Sequence, residues 1–503
     1  MIRFACPLWA VSAFAIVFSC CSLALAVESE LEDSLRFGIQ GSISGGTALV
    51  GQRFGGTDGN GDVQVFDVGS TDWTLSTRLV DLLPSDTLSL GADFGAGALA
   101  IDGDTVIVGA YRNEVDEVSQ AGSVFLFSRD GATWSYEAQW NEPLPLGATT
   151  PVTNAQFGIA GDLDGDHAII VAGGTSQAYI YDRSGGNWGD GTMLEGGNIN
   201  APLSAAIDNQ VAVVGTFLDG GHLDVWRKDG ESWNHEAQIA NPMAGTPGAD
   251  NLFAATVDIS GDTIVVAARG QTVVDLAEEE YSDAGAVYVY QYDDGTSEWI
   301  LQQTIEHPEP AAGDAFGYDV AISGDKIVVG APRQDIGSGE EALLDVGAAY
   351  VFERTDSTWT QIEKRGLGNL LAGRWFGETV SVDPWSMLIA GSGRTTVGPL
   401  GQGAVQLDGS EGVDIPGDAN RDKVVDEHDA AILAQNWNDP VTGWDQGDFN
   451  GDGFVNAADA AILAANWGQT GEQASGAAVP EPNAIILLLG GLLMLAARGR
   501  RNG

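Results

Sequence analysis

Cysteine stops at Cys21: the three in the chain, Cys6, Cys20 and Cys21, all fall in its first 26 residues. Beyond them no disulfide can staple the fold and no thiol can act as a nucleophile. Bases are scarce as well. Lysine and arginine number 22 against 71 acids, for a net charge of −49. That excludes nucleic acid as a partner, because binding phosphates needs a basic face. Yet charged residues are only 18% of the chain and hydrophobic ones 44%, too apolar for a disordered acidic tail. No helical period runs through residues 30–412. There is no H-E-x-x-H, nucleophile elbow or P-loop, and no dinucleotide fingerprint between a strand and a helix. What is abundant is glycine, 69 of 503 residues against an ordinary share of about 7%. Such a share suits an all-β chain with many tight turns.

The two ends read as addresses. Residues 1–26 combine Arg3, an apolar stretch from Trp9 to Phe18 and the small-residue ending Ala24-Leu25-Ala26, the layout of a secretory leader cut after Ala26. The far end reads Val479-Pro480-Glu481-Pro482, then an apolar run over 484–497, then Arg498, Arg500 and Arg501. The run is shorter than the roughly 20 residues of a permanent span, and the bases would stay cytoplasmic. Motif, run and basic tail in this order resemble the PEP-CTERM sorting signal of Gram-negative bacteria with extracellular polymer matrices. The resemblance implies passage across the inner membrane, processing by an exosortase with at least transient membrane contact, and delivery to the envelope, cell surface or matrix.

Between the ends one pattern repeats seven times. Phe-Gly or a relative occurs at Phe37-Gly38, Phe94-Gly95, Phe157-Gly158, Leu203-Ser204, Phe253-Ala254, Phe316-Gly317 and Phe376-Gly377. A strand, a Gly-Asp turn and a short apolar strand follow, as in Ile322-Ser323-Gly324-Asp325-Lys326-Ile327-Val328-Val329-Gly330-Ala331. The turn uses glycine for positive φ and aspartate for local hydrogen bonds. The unbroken apolar run suits a strand buried on both faces. An alternating third strand such as Gly285–Tyr290 comes next, then a polar turn and a tryptophan-bearing fourth. Those tryptophans are Trp73, Trp134, Trp188, Trp233, Trp299 and Trp359. Four strands per repeat, seven times, predict a seven-bladed β-propeller over residues 27–413. These repeats resemble the FG-GAP repeats of integrin α-chain propellers and of many bacterial surface proteins, over residues 30–412.

That resemblance brings a calcium pattern, D-x-D-x-D-G-x-x-D, which the chain mostly lacks. Its nearest matches, Asp58–Asp62 and Asp162–Asp166, read either as further calcium sites or as ordinary Asp-Gly turns. Repeat seven has no tryptophan hairpin, so Ser29–Arg36 is expected to supply its fourth strand and close the ring. The longest insertions, 111–121, 269–284 and 332–346, lie between second and third strands. They carry Glu114, Asp116, Glu117, Asp275, Glu278, Glu279, Glu280, Asp283, Glu340, Glu341 and Asp345. A propeller would gather these acids on one rim, where they read as an attractor of cations or basic partners, or as a solvated surface.

The most specific motif spans 414–472. Asp418, Asn420, Asp422, Asp426 and Asp429 occupy positions 1, 3, 5, 9 and 12 of a loop, with Val424 at position 7. Asp448, Asn450, Asp452, Phe454, Asn456 and Asp459 repeat the arrangement. This is EF-hand spacing: alternate side-chain oxygens, a backbone carbonyl at position 7 and a closing carboxylate. Lys423 stands where the first loop would carry the glycine that the second has as Gly453, so the first is expected to bind more weakly. Each loop runs into nearly the same helix, Asp429–Trp437 and Asp459–Trp467. Duplicated, Asp-closed loops of this kind resemble a type I dockerin, a small all-α domain. The resemblance implies two calcium ions, calcium-dependent folding and a cohesin-like partner. The partner-reading positions, Glu427-His428 and Ala457-Ala458, differ from the hydroxyl pairs common in cellulosomal members. Residues 473–503 are then linker and sorting signal.

No catalytic constellation emerges: His167, His222, His235, His307 and His428 are scattered over separate repeats. Two functions stay open. One is a secreted, non-catalytic binding or adhesion protein whose propeller recognises a surface or matrix ligand. The other is an extracellular polysaccharide hydrolase with an appended dockerin, since paired carboxylates cannot be told from solvated ones in sequence.

Overall fold

The computed structural model describes residues 25–26, then 37–409 with breaks at 56–58, 69–72, 86, 145–146, 219, 245–250, 276, 338–341, 368–371, 385 and 394–403, and further on 417, 419, 425, 427–437, 447 and 455–468. The repeats form seven antiparallel blades, six of four strands and a third blade whose outer place is shared by the short strands Asn187–Trp188 and Thr192–Met193. Blade 2 shows the plan, with Leu99–Asp102, Thr105–Ala110, Ser123–Asp130 and Thr133–Asn141 running from the axis outward. The other innermost strands are Phe37–Ser44, Phe157–Asp164, Ser204–Asp208, Phe253–Ser260, Val320–Ser323 and Thr379–Val382. Each packs beside the next, and that of blade 7 packs beside that of blade 1, so the ring is closed. Every residue of the second strands Thr105–Ala110, Val211–Thr216 and Thr263–Ala268 is buried, as their unbroken apolar runs require.

There is no single core. Seven apolar layers lie between neighbouring blades, one at each junction, including that of blade 7 with blade 1. In six of them the phenylalanine of the Phe-Gly pair is a plug: Phe94, Phe157, Phe253, Phe316 and Phe376 are fully buried and Phe37 nearly so. Repeat four departs from expectation. Leu203, read as its counterpart, is 43% exposed. The layer between blades 3 and 4 is filled by the fully buried Trp226 from the third strand, whose indole N–H donates to the Glu195 carbonyl at 2.8 Å. A larger ring entering from another strand replaces the missing plug.

Glycine decides how closely blades approach. A Cβ on Gly330, in the second strand of blade 6, would stand 1.9 Å from the Gly377 carbonyl oxygen of blade 7. One on Gly285, which has φ +96° and precedes a third strand, would stand 2.0 Å from the Phe316 carbonyl oxygen. The Phe-Gly backbone of one blade thus lies in a slot that only glycine in the preceding blade leaves open.

Side chains then cross each junction at the axis. Ser42 Oγ accepts from the Ile101 N–H, Asp162 from Ile207, Asp258 from Ile322 and Ser381 from Ile43. A second set reaches the turn of the next blade: Ser44 to Gly103, Asp102 to Gly165, Asp164 to Asn209, Asp208 to Gly261, Ser260 to Gly324 and Asp383 to Gly45. In blade 7 the matching turn residue is Pro384, which has no N–H to donate. At six of the seven junctions the residue before the turn therefore bonds across blades, while local bonding was expected of the turn aspartates. The turn aspartates pair outward instead: Asp104 with Arg129, Asp166 with Arg183 and Asp325 with Arg354.

The ring closes at its outer edge much as anticipated, but through other residues. Leu25–Ala26 pairs with Ala404–Gly409 as fourth strand of blade 7, whereas Ser29–Arg36 lies outside the described residues. A leader cut after Ala26 would take this pair away and leave the inner bonds of Ser381 and Asp383 to join blades 7 and 1. Residues 1–24 and 484–497 also lie outside the described residues, and among those described no helix is long and apolar enough to cross a membrane.

Replacing Gly330 by alanine forces Cβ into the Gly377 carbonyl and is expected to cost about 1–3 kcal/mol, as overpacking does. Gly366, with nothing within 4 Å, is the control: alanine there changes stability by less than about 0.5 kcal/mol. Urea unfolding of both variants measures the difference.

Candidate functional site

The meander gives the ring two unlike faces. Turns joining first to second and third to fourth strands emerge on one, the turn face. The long connections, and the entries into each Phe-Gly, emerge on the other, the FG face. The acidic insertions are small hairpins on the FG face, closed by Val115 with Val118, Val273–Val274 with Glu280–Tyr281, and Ile336 with Leu343. Their last residues pair with the segment entering the next blade, as Asp283 and Ala284 accept from Ala315 and Phe316. Glu114, Asp116, Glu117, Glu278, Glu279, Glu280 and Asp283 are exposed, and Asp275 and Asp345 half-buried. Glu340 and Glu341 lie outside the described residues. Exposed apolar side chains share this face, among them Phe54, Leu90 at 87%, Leu218, Val274 and Leu344. The remaining exposed apolar residues, such as Leu75, Ile300 and Ile362, lie on fourth strands; among the described residues the turn face has none. One face is therefore amphipathic, and the other is polar.

The turn face is where the tryptophan hairpins are stapled. Arg129, Arg183, Lys228 and Arg354 lie opposite Trp134, Trp188, Trp233 and Trp359 and rest their charge over those rings at 5.0–5.6 Å. Three of them continue to the preceding blade, where Thr47, Thr105 and Thr263 accept at 2.8–3.2 Å. These tryptophans support staples rather than line a site.

The alternate oxygens read as cation loops within the ring are drawn apart. Asp162 and Asp164 hold blade 4, and Asp166 holds Arg183. Asn60 accepts from the Gly91 N–H and Asp62 pairs with Arg78; Asp58 lies outside the described residues. Among the described residues no three acidic, histidine or cysteine groups converge on a metal position. Of the two readings of these loops, ordinary turn chemistry is what the described carboxylates do: Asp162 and Asp164 bond across the junction to blade 4, while Asp62 and Asp166 pair with arginines of their own blades.

Sequence spacing gave no hint of one cluster. His222 and His235 both reach Asp224, at 3.3 and 2.7 Å, beneath the segment 195–200. Asp224 also accepts from the Asn198 N–H and from Gln238, so the group pins that segment to blade 4. Only the register of the third and fourth strands brings these residues together.

Three carboxylates line the channel at the axis: Asp162, Asp258 and Asp319. The protein around them pushes Asp162 up to about 7 and Asp319 to about 6, and raises Asp258 as well. Burial is the main cause in each, opposed by the backbone N–H groups of Ile207, Val380 and Ile322. All three residues keep partial exposure. The folded state thus holds these protons more tightly than the unfolded chain, whose aspartate titrates near 3.8. This stabilising contribution is complete below the unfolded value and lost as pH rises through 6–7. The melting temperature should therefore fall from pH 5 to pH 8. Asp162→Asn keeps the acceptor for Ile207 but cannot ionise, so its profile should be shallower; an unchanged slope would place the titration elsewhere.

Beyond the ring stand two helices, α1 (Glu427–Gln435) and α2 (Ala457–Ala465). They brace each other with near two-fold symmetry. A Cβ on Gly417, at the entry of the first loop, would touch Leu463 of α2 at 2.6 Å; one on Gly447, at the entry of the second, would touch Leu433 of α1 at 2.9 Å. Val425 and Val455, both at loop position 8, are fully buried in the shared core with Leu433 and Leu463. The closing carboxylates Asp429 and Asp459 are fully buried. Asp459 also accepts from the Asn456 N–H at 2.8 Å, while Asn456 Oδ1 accepts from the Ala458 N–H at 2.8 Å. Asn456, expected at ligand position 9, is thus the helix N-cap. Asp418, Asn420, Asp422, Val424, Asp426, Asp448, Asn450, Asp452 and Phe454 lie outside the described residues. Buried carboxylates closing all-oxygen loops fit a hard cation and leave a folded charge in need of one.

Two sequence families match: FG-GAP repeat, at residues 77–127 and 299–352, and Dockerin type I domain, at residues 416–474. The chain carries FG-GAP repeats in a seven-bladed propeller and a type I dockerin domain. Each FG-GAP match begins within a fourth strand and ends in the third strand of the next blade, so it spans a junction rather than a blade. Type I dockerins bind calcium and dock to cohesins. FG-GAP and dockerin domains together place the protein outside the cell or at its surface. No curated protein matches the chain at a significant level.

Proposed function

We propose that this is an exported, non-catalytic binding protein: the FG face of the propeller is its recognition surface, and the dockerin domain is its calcium-dependent dock for a cohesin-like partner. The observation that carries the reading is the division of labour between the faces. Arg129, Arg183, Lys228 and Arg354 staple the tryptophan hairpins of the turn face, while the acidic insertions and exposed apolar groups gather on the FG face, and exposed apolar groups beside polar rims mark interaction surfaces. Export rests on the leader pattern of residues 1–26. Sorting rests on Pro480-Glu481-Pro482 with the following apolar run, the expected substrate of an exosortase at the membrane. A polysaccharide hydrolase draws its support from the raised carboxylates of the channel, but Asp162, Asp258 and Asp319 each hold a neighbouring blade through backbone N–H groups.

In the dock, Asp429 and Asp459 would close the two calcium shells, with Asp418, Asn420, Asp422 and Asp426, and then Asp448, Asn450 and Asp452, supplying further side-chain oxygens. The ions supply positive charge that lets the carboxylates sit close together. The chain's own part is the cross-braced core of Val425, Leu433, Val455 and Leu463, which holds the loop entries in place.

Calcium should raise the unfolding free energy of the dockerin by RT ln(1 + [Ca²⁺]/Kd), about 2.7 kcal/mol at one hundred times Kd. Calorimetry of the full chain should show a separate transition that moves down with chelator while the propeller transition stays. Asp459→Asn keeps an acceptor for the Asn456 N–H and removes the charge, so it should lose one calcium equivalent. Capture of a surface protein with calcium and its release by chelator would support docking. A single transition indifferent to chelator would reject the calcium-dependent dock.

A further inference from the structure

In a chain so poor in bases, where they sit is informative. Most of the described arginines contact a carboxylate, as Arg53 does Asp93 at 2.7 Å and Arg78 does Asp62. The guanidinium groups of Arg269 and Arg333 do not: among the described residues neither makes an ion pair or a hydrogen bond. Each instead rests on an aromatic ring. Arg269 Cζ is 4.6 Å from the centre of the Tyr318 ring and Arg333 Cζ 5.0 Å from that of Trp375. The two rings meet edge to face, 6.0 Å apart at 86°.

The four residues make one row across blades 5, 6 and 7. Arg269 and Arg333 directly follow or nearly follow the second strands Thr263–Ala268 and Lys326–Ala331, while Tyr318 and Trp375 flank the Phe-Gly pairs of blades 6 and 7. All four therefore lie on the FG face, where Arg333 is exposed and the other three half-buried. Arg269 lies within electrostatic range of the channel carboxylate Asp319, and Arg333 within range of Asp345.

We propose that this row binds a sugar chain carrying carboxylates, that is, an oligosaccharide containing uronic acid. A guanidinium presents five donors and matches a carboxylate in bidentate fashion. Stacking on a ring fixes its plane while leaving those donors facing outward. The Tyr318 hydroxyl makes no hydrogen bond among the described residues and can meet a sugar hydroxyl. Surrounding acids disfavour a dense run of negative charge such as an acidic peptide. A chain with one carboxylate per ring and hydroxyls between suits two cations held apart by two aromatic rings. The proposal rests on the reading of the FG face as the recognition surface and names its ligand.

The test is isothermal titration of the full chain with trigalacturonate, neutral galactotriose and triglutamate. Trigalacturonate should bind at least tenfold more tightly than either of the others. Arg269→Gln and Arg333→Gln should each weaken it about tenfold or more, as loss of a charged hydrogen bond does, with no change in melting temperature. Arg269→Lys and Arg333→Lys should retain part of the affinity. No binding of trigalacturonate, equal binding of galactotriose or triglutamate, or indifference to both Gln variants would overturn the proposal. Release of reducing ends in the same samples would contradict the non-catalytic reading separately, while the Arg variants still decide whether these residues hold the anion.

Discussion

The ring depends on backbone meeting backbone between blades. The Phe-Gly segment of one blade slides into a slot lined by glycine in the blade before it, and the phenylalanine then fills the apolar layer between them. Without cysteines beyond Cys21, and with a net charge of −49, stability has to come from such short-range contacts repeated around the axis. Each junction is small, and its side-chain bonds are worth about 1 kcal/mol apiece. Seven of them in a closed ring have no free edge from which to peel. At the inner end of the last junction, Ser381 and Asp383 reach Ile43 and Gly45.

This architecture separates stability from the recognition proposed for the FG face. On the turn face Arg129, Arg183, Lys228 and Arg354 are taken up in stapling, and on the inner strands so are many of the aspartates. The FG face has the long connections, and its hairpins are pinned at their bases where they pair with the next blade. Its sequence can therefore vary at the tips without loosening a junction, which is how binding loops on rigid scaffolds are usually arranged. The dockerin domain is built on different chemistry. Its core of Val425, Leu433, Val455 and Leu463 is too small to stand without help, and on the proposed reading buried Asp429 and Asp459 would tie its order to a cation.

Much of this was legible in the chain. The apolar second strands, the Gly-Asp turns and the tryptophan hairpins each carry a local signature, and local signatures survive in a single sequence. The dockerin domain was readable for the same reason. What could not be read depends on partners far along the chain. Asp162 looks like a ligand in a loop of alternate oxygens, but its partner is the Ile207 N–H 45 residues on, and a backbone amide has no letter of its own. Trp226 stands in for the missing phenylalanine of repeat four from a different strand. His222, Asp224 and His235 meet only through strand register. The closing strand fell to Leu25–Ala26, because any short extended segment can pair with an exposed sheet edge.

The central claim is that blade-to-blade contacts alone hold the ring, while calcium orders only the dock. Hydrogen–deuterium exchange of the full chain with and without chelator tests it most directly. Chelation should expose the amides of Glu427–Gln435 and Ala457–Ala465 and leave the junction amides of Ile207, Ile322 and Val380 as protected as before. Loss of protection at those three positions on removing calcium would contradict the account.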